Sequence, residues 1–220
     1  MKYIFLHGWS FSRDIWKDFY GLENSLFIDL PFHNGKEYYK KKDILKNFAL
    51  ELSDLIDNFN EDITVIGWSL GASLSILTAL NKPNNLKKLV LIGFSPKFKD
   101  EELGHSPKGI KAFMIQLRKD FENTVYQFRK TAVDNEFKTI PLPLKDGGLA
   151  ILKEFIELDL TDSLKNIDIE TILIAGKDDR IINYRGSVFA NKEIKNSSLI
   201  LTKEHHAPFL SKPELILEYL

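Results

Sequence analysis

Cysteine is missing from this 220-residue chain, so disulfides, a thiolate-bound zinc and a cysteine nucleophile are all excluded. An excess of charge of one sign is missing too: 30 Lys and Arg stand against 31 Asp and Glu, a formal net charge of −1. Without a global field, neither nucleic acid nor an anionic membrane surface is an expected partner, and a charged partner has to be met by a local patch. The opening Met1-Lys2-Tyr3-Ile4-Phe5-Leu6 reaches His7-Gly8 too soon to act as a signal peptide or a membrane span. A cytoplasmic protein with no membrane partner is expected. Internal repeats, low-complexity tracts and flexible linkers are also lacking, and 44% of the residues are hydrophobic. That suits a single domain over residues 1–220 with one substantial core.

Short apolar runs suited to buried strands do occur, at 3–6, 26–30, 63–66, 89–92, 171–175 and 198–201, with helix-capable segments between most of them. The alternation predicts an α/β fold: a mostly parallel central sheet flanked by helices. Residues 43–59 carry apolar side chains at 44, 45, 48, 52, 55, 56 and 59, a single helical stripe. Residues from about 96 to 165 break the pattern. They are charge-rich, hold Pro96, Pro107, Pro141 and Pro143, and show helix-like stretches without a convincing strand. A short helical cap inserted over the sheet is expected there.

Gly67-Trp68-Ser69-Leu70-Gly71 fits G-x-S-x-G between a strand-like and a helix-like segment. A sharp strand-to-helix turn forces its central residue toward an unfavourable backbone conformation and brings strand and helix together, so the flanking positions do best without a Cβ. Such a turn exposes the Ser69 hydroxyl. It also leaves the Leu70 N–H at a helix N-terminus, where a developing oxyanion is stabilised. A serine helix cap between two packing glycines also accounts for five residues this short.

A serine hydroxyl needs a base, and a histidine serves best when a carboxylate fixes its tautomer. Both follow in the order Ser, acid, His. After the strand-like TILIA comes Gly176-Lys177-Asp178-Asp179-Arg180, and after SLILT comes Lys203-Glu204-His205-His206-Ala207-Pro208-Phe209. Each loop offers two candidates, and isolated loop residues of these types are commonly just solvated. Type, order and strand-end position together favour a site.

The motifs LHGW at 6–9, GWSLGA at 67–72, GGLAILK at 147–153 and HHAPFLSKPE at 205–214 resemble those of the α/β-hydrolase superfamily. Within it they resemble the carboxylesterases of biotin biosynthesis, which cleave the methyl ester of pimeloyl-acyl carrier protein. The resemblance implies Ser69 as nucleophile, Asp179 as acid and His206 as base. It implies an oxyanion hole from the backbone N–H groups of Trp9 and Leu70, both against the substrate, and Phe128 lining the acyl pocket. His7 is expected to help hold the loop that carries Trp9. No metal and no cofactor is implied. Trp68, Phe94 and Phe209 are expected to join Trp9 and Phe128 around an acyl chain.

Two features depart from that family. Asp29-Leu30-Pro31-Phe32-His33-Asn34-Gly35-Lys36 lacks the glycines usual after the second strand, so this loop has to take another path, and the cap is short. Relatives dock acyl carrier protein through cap arginines. Segment 105–133 holds Lys108, Lys111, Arg118, Lys119, Arg129 and Lys130 against Asp120 and Glu122, a basic patch suited to an acidic carrier or simply a solvated helix face. A general short-chain carboxylesterase or thioesterase, an acyl transferase and a non-catalytic binding protein of the same fold remain the alternatives.

Overall fold

The computed structural model describes residues 2–220. Six strands form one sheet: β1 (Lys2–Leu6), β2 (Ser25–Ile28), β3 (Ile63–Trp68), β4 (Leu86–Ile92), β5 (Glu170–Gly176) and β6 (Ser197–Thr202). Their spatial order is β2-β1-β3-β4-β5-β6, and every pairing is parallel. The chain first runs outward from β1 to β2, then returns to lay β3 on the other side of β1. Strand order therefore reverses between β1 and β3, and the crevice beyond the carboxyl ends of such a pair is where open α/β sheets bind ligands.

Parallel strands need crossovers, and the helices that supply them cover the sheet. α1 (Ile44–Asp57) and α2 (Leu70–Leu80) pack on one face, where Ile4, Val65 and Leu89 meet the α1 stripe of Ile44, Leu45, Phe48, Leu52 and Ile56. Alternation sends Phe5, Ile66, Val90 and Ile174 to the opposite face. There they meet Trp16 and Phe19 of a 3₁₀ turn, Arg13–Phe19, together with Phe209 and Ile216 near the C-terminus. α6 (Arg185–Glu193) and a short α7 (Glu214–Leu217) complete the layers.

Between β4 and β5 the chain builds α3 (Pro107–Lys119), α4 (Phe121–Val133) and α5 (Lys145–Glu157). α3 begins at Ser106, whose hydroxyl accepts the Gly109 N–H at 3.1 Å, with Pro107 in the first turn. Asp120 ends α3 and caps α4, accepting the Asn123 N–H at 3.3 Å. The two ends of this excursion are pinned together, since Leu160 N–H donates to Pro96 O at 2.8 Å and Lys97 pairs with Asp159 at 2.8 Å. α5 is fastened to the body by Glu154, whose carboxylate oxygens accept the N–H groups of Ile44 and Leu45 at 3.0 Å each. It thereby caps α1, whose own Asp43 makes no side-chain cap.

Candidate active site

Ser69 occupies the corner between β3 and α2 with φ 57° and ψ −116°, a region that L-residues seldom occupy. Its surroundings over-determine that conformation. Ser69 N–H donates to Ile92 O at 2.8 Å, and its carbonyl accepts from Ala72 and Ser73 at 2.9 and 3.2 Å. A Cβ on Gly67 would collide with Ser75 Oγ and Gly71 O, and one on Gly71 would overlap the Leu6 carbonyl, so both glycines are required by close approach. Leu70 opens α2, and its N–H is one of the helix's unpaired N-terminal donors.

Asp179 lies in the loop after β5. Its Oδ1 accepts the N–H groups of Ile181 and Ile182 at 2.7 and 3.0 Å, which aims Oδ2 at His206 Nδ1, 2.7 Å away. Both side chains are almost fully buried, at 3% and 2% exposed. Because the carboxylate takes Nδ1, the tautomer leaves Nε2 available as an acceptor. The indole N–H of Trp68 donates to His206 O at 2.8 Å, so the histidine is tied to the residue before Ser69. Asp178 and His205, the neighbours that sequence could not separate from this pair, behave differently. Asp178 is exposed, its carbonyl meeting His205 Nδ1 at 3.1 Å, and His205 faces Asp134 at 3.5 Å on the surface.

The loop after β1 brings Gly8 against Ser69, close enough that a Cβ there would lie 3.3 Å from Ser69 Cβ. His7 is fully buried; its Nε2 accepts the Leu30 N–H at 3.0 Å and its Nδ1–H donates to Gly8 O at 2.8 Å. Burial lowers its pKa to about 4 and keeps it neutral. A trans peptide points its C=O and N–H in opposite directions, so holding Gly8 O toward His7 turns the Trp9 N–H away from it. The Trp9 indole N–H donates to Gly148 O at 2.9 Å, and its ring packs edge-on to Phe113 and Phe128, at 6.0 and 5.2 Å between centroids.

Phe113 and Phe128 also line a cavity of about 270 Å³ between α3 and α4, with Phe98, Ile110, Arg180 and Ile181 around it. Other aromatics expected there lie elsewhere. Trp68 and Phe209 are buried in the core on the sheet's opposite face, because alternation along β3 turns Trp68 toward Phe11 and Phe209 at 4.8 and 5.5 Å. Phe94 is fully buried in the same core cluster as Trp9 and Phe98, with its carbonyl accepting the Ser187 hydroxyl at 2.8 Å, and does not line the cavity. Arg129 also leaves the role assigned to it: it is completely buried, so the exposed bases of segment 105–133 are Lys108, Lys111, Arg118, Lys119 and Lys130. Sequence reasoning missed Ser10, His33 and the inward face of Arg129.

A family profile described as "Alpha/beta hydrolase family" matches residues 3–218, and the chain belongs to that family. Among curated proteins, it is similar to the pimeloyl-[acyl-carrier protein] methyl ester esterase of Nitrosospira multiformis, with 29% identity over 242 residues, covering 96% of this chain and 89% of that protein. The protein of the same name from Vibrio campbellii is 26% identical over 231 residues with the same coverage. Among solved structures, an esterase from Exiguobacterium antarcticum matches with TM-score 0.88 at 18% identity, covering 100% of this chain and 90% of that one. A bromoperoxidase from Bacillus anthracis matches with TM-score 0.84 at 17% identity, covering 99% and 90%. At such identities the structural likeness speaks for the fold.

Proposed function

We propose that this chain is a serine carboxylesterase acting through an acyl-enzyme, and that its substrate is the methyl ester of pimeloyl-acyl carrier protein. The observation that carries the chemistry is the buried 2.7 Å contact between Asp179 and His206, joined through Trp68 to the strained Ser69. In this reading His206 Nε2 takes the proton as Ser69 Oγ attacks the ester carbonyl. Asp179 stabilises the imidazolium, and the N–H groups of Trp9 and Leu70 receive the oxyanion. Collapse of the tetrahedral intermediate expels methanol with the proton from His206. Water, activated by the same imidazole, then releases the acid. No metal or cofactor takes part.

The substrate rests on the two curated relatives, whose names specify that ester. The apolar cavity between α3 and α4 suits an acyl chain. The exposed bases of segment 105–133, five against Asp120 and Glu122, suit an acidic carrier. Residues 1–220 then act as one domain with a cap at about 96–165, in the cytoplasm.

The test compares carrier-bound pimeloyl methyl ester with free pimelate monomethyl ester and with a carrier-bound thioester. Preference for the carrier-bound methyl ester, reduced by charge reversal at Lys111 and Arg118, supports the reading. Equal turnover of the free ester makes the chain a general carboxylesterase, and cleavage at the thioester makes it a thioesterase.

A further inference from the structure

Ser10 follows Trp9 with φ 70°, a left-handed conformation for which a residue with a Cβ pays a steric penalty. It is fully buried, and its hydroxyl has no hydrogen-bond partner among the described residues, so its side chain does nothing evident to hold the turn. Two distant side chains hold the backbone instead. His33, from the loop after β2, accepts the Ser10 N–H on Nε2 at 3.0 Å and anchors itself by donating from Nδ1 to Pro31 O at 2.8 Å. Arg129, from cap helix α4, donates to Ser10 O through Nε at 3.0 Å and also through Nη2.

The remaining Arg129 bonds go to Phe137 O and Ile140 O at 2.8 Å each and to Pro141 O at 2.9 Å. No carboxylate pairs with it among the described residues, and its guanidinium lies over the Phe11 ring at 5.6 Å. A buried cation that spends all its donors on backbone carbonyls fixes geometry more than it adds net stability. His33 stays neutral, its pKa lowered by burial to about 3, and so remains an acceptor throughout the neutral range.

We propose that His33 and Arg129 are positioning residues for the oxyanion hole, clamping Ser10 from both sides so that the preceding Trp9 N–H is held toward the ester carbonyl. His7 orients the Gly8–Trp9 peptide, His33 the Trp9–Ser10 peptide and Arg129 the Ser10–Phe11 peptide, so three successive units are fixed by three buried side chains. The cap is thereby part of the hole's construction, because α4 supplies one arm of the clamp. This inference rests on the hydrolytic reading of the site given above.

The test compares wild type with Arg129→Lys, Arg129→Met, His33→Gln and His33→Ala, well below their melting temperatures. Each is assayed on p-nitrophenyl butyrate and on its thiono analogue, whose C=S accepts hydrogen bonds poorly. We expect Arg129→Met and His33→Ala to lose about 10- to 100-fold in kcat with KM within about threefold, less than the roughly 10²- to 10³-fold that outright removal of an oxyanion donor costs, because the donor is loosened and not deleted. Their preference for the oxygen ester should shrink by a similar factor. Gln, whose amide oxygen can accept the Ser10 N–H, should regain most of the loss. If Arg129→Met fails to fold, Arg129→Lys and the His33 pair carry the same comparison. Variants with lowered melting temperature but wild-type kcat and oxygen preference overturn the clamp. Ser69→Ala, run alongside, separates the two levels: full activity there removes the hydrolytic reading and the clamp with it, whereas an inactive Ser69→Ala beside unaltered clamp variants removes only the clamp.

Discussion

The Trp68 indole N–H donates to the backbone carbonyl of His206 at 2.8 Å, with the two rings 5.3 Å apart. This single bond joins the end of β3, immediately before Ser69, to the loop after β6, and in the proposed mechanism it ties the base to the strand that carries the nucleophile. Trp68→Phe keeps most of the packing and removes the bond. We expect a loss of about 1 kcal/mol in stability and roughly a tenfold fall in kcat, read by urea denaturation and steady-state assay.

Asp179 makes three short contacts, and only the one to His206 needs a second carboxylate oxygen. Asp179→Asn therefore preserves the loop while presenting an amide that fits the wrong imidazole tautomer. A fall in kcat of about 10³- to 10⁴-fold with little change in melting temperature is expected. Asp178→Asn, at the exposed neighbour, should leave kcat within about twofold.

His7 and His33 are both buried and neutral in the fold, with pKa values of about 4 and about 3 against an ordinary 6.5. The unfolded chain takes up protons below pH 6.5 that the folded chain refuses. Stability is thus complete above that pH and declines as pH falls toward 4 and below. Between pH 7 and pH 5 the loss should be on the order of 2 kcal/mol per histidine. Urea unfolding at the two pH values checks it, and His33→Gln should show a visibly shallower decline.

Glu154 caps α1 from α5, accepting from Ile44 and Leu45. Glu154→Ala leaves two N-terminal donors without a partner and removes an anion from a helix N-terminus. A cost of about 1–2 kcal/mol is expected, measured by thermal unfolding, with kcat unchanged because Glu154 shares a surface groove with Leu77, Leu80 and Asn81, at the opposite end of α2 from Ser69.

The fold was legible because strands of a parallel sheet are buried on both faces and read as continuous apolar runs; β3 and β5 are the clearest cases. The elbow was legible because the turn forces small residues on both sides of Ser69: Gly67 is required by contacts within its own turn, to Ser75, Gly71 and Ala72, and Gly71 by the Leu6 and His7 backbone of the adjacent strand end. Choosing Asp179 over Asp178 and His206 over His205 from the residues alone was not possible, since adjacent loop residues differ only in which way the folded loop turns them. The resemblance to a known family supplied that choice. The His33–Ser10–Arg129 arrangement was hidden because its contacts span 23 and 119 residues. One signal was present all the same. The buried positions of α4 are Phe121, Val125, Arg129 and Ala132, a helical stripe with the arginine inside it. Reading Arg129 with Lys130 as one surface patch overlooked that spacing.

The most direct measurement is hydrolysis of pimeloyl-acyl carrier protein methyl ester by wild type and Ser69→Ala, with p-nitrophenyl butyrate as the small-ester control. We expect the wild type to cleave the carrier-bound ester with a kcat/KM far above that for the control, and Ser69→Ala to lose at least about 10³-fold on both. Equal turnover by Ser69→Ala, or a wild type inert toward both esters, would contradict the assignment of a serine carboxylesterase.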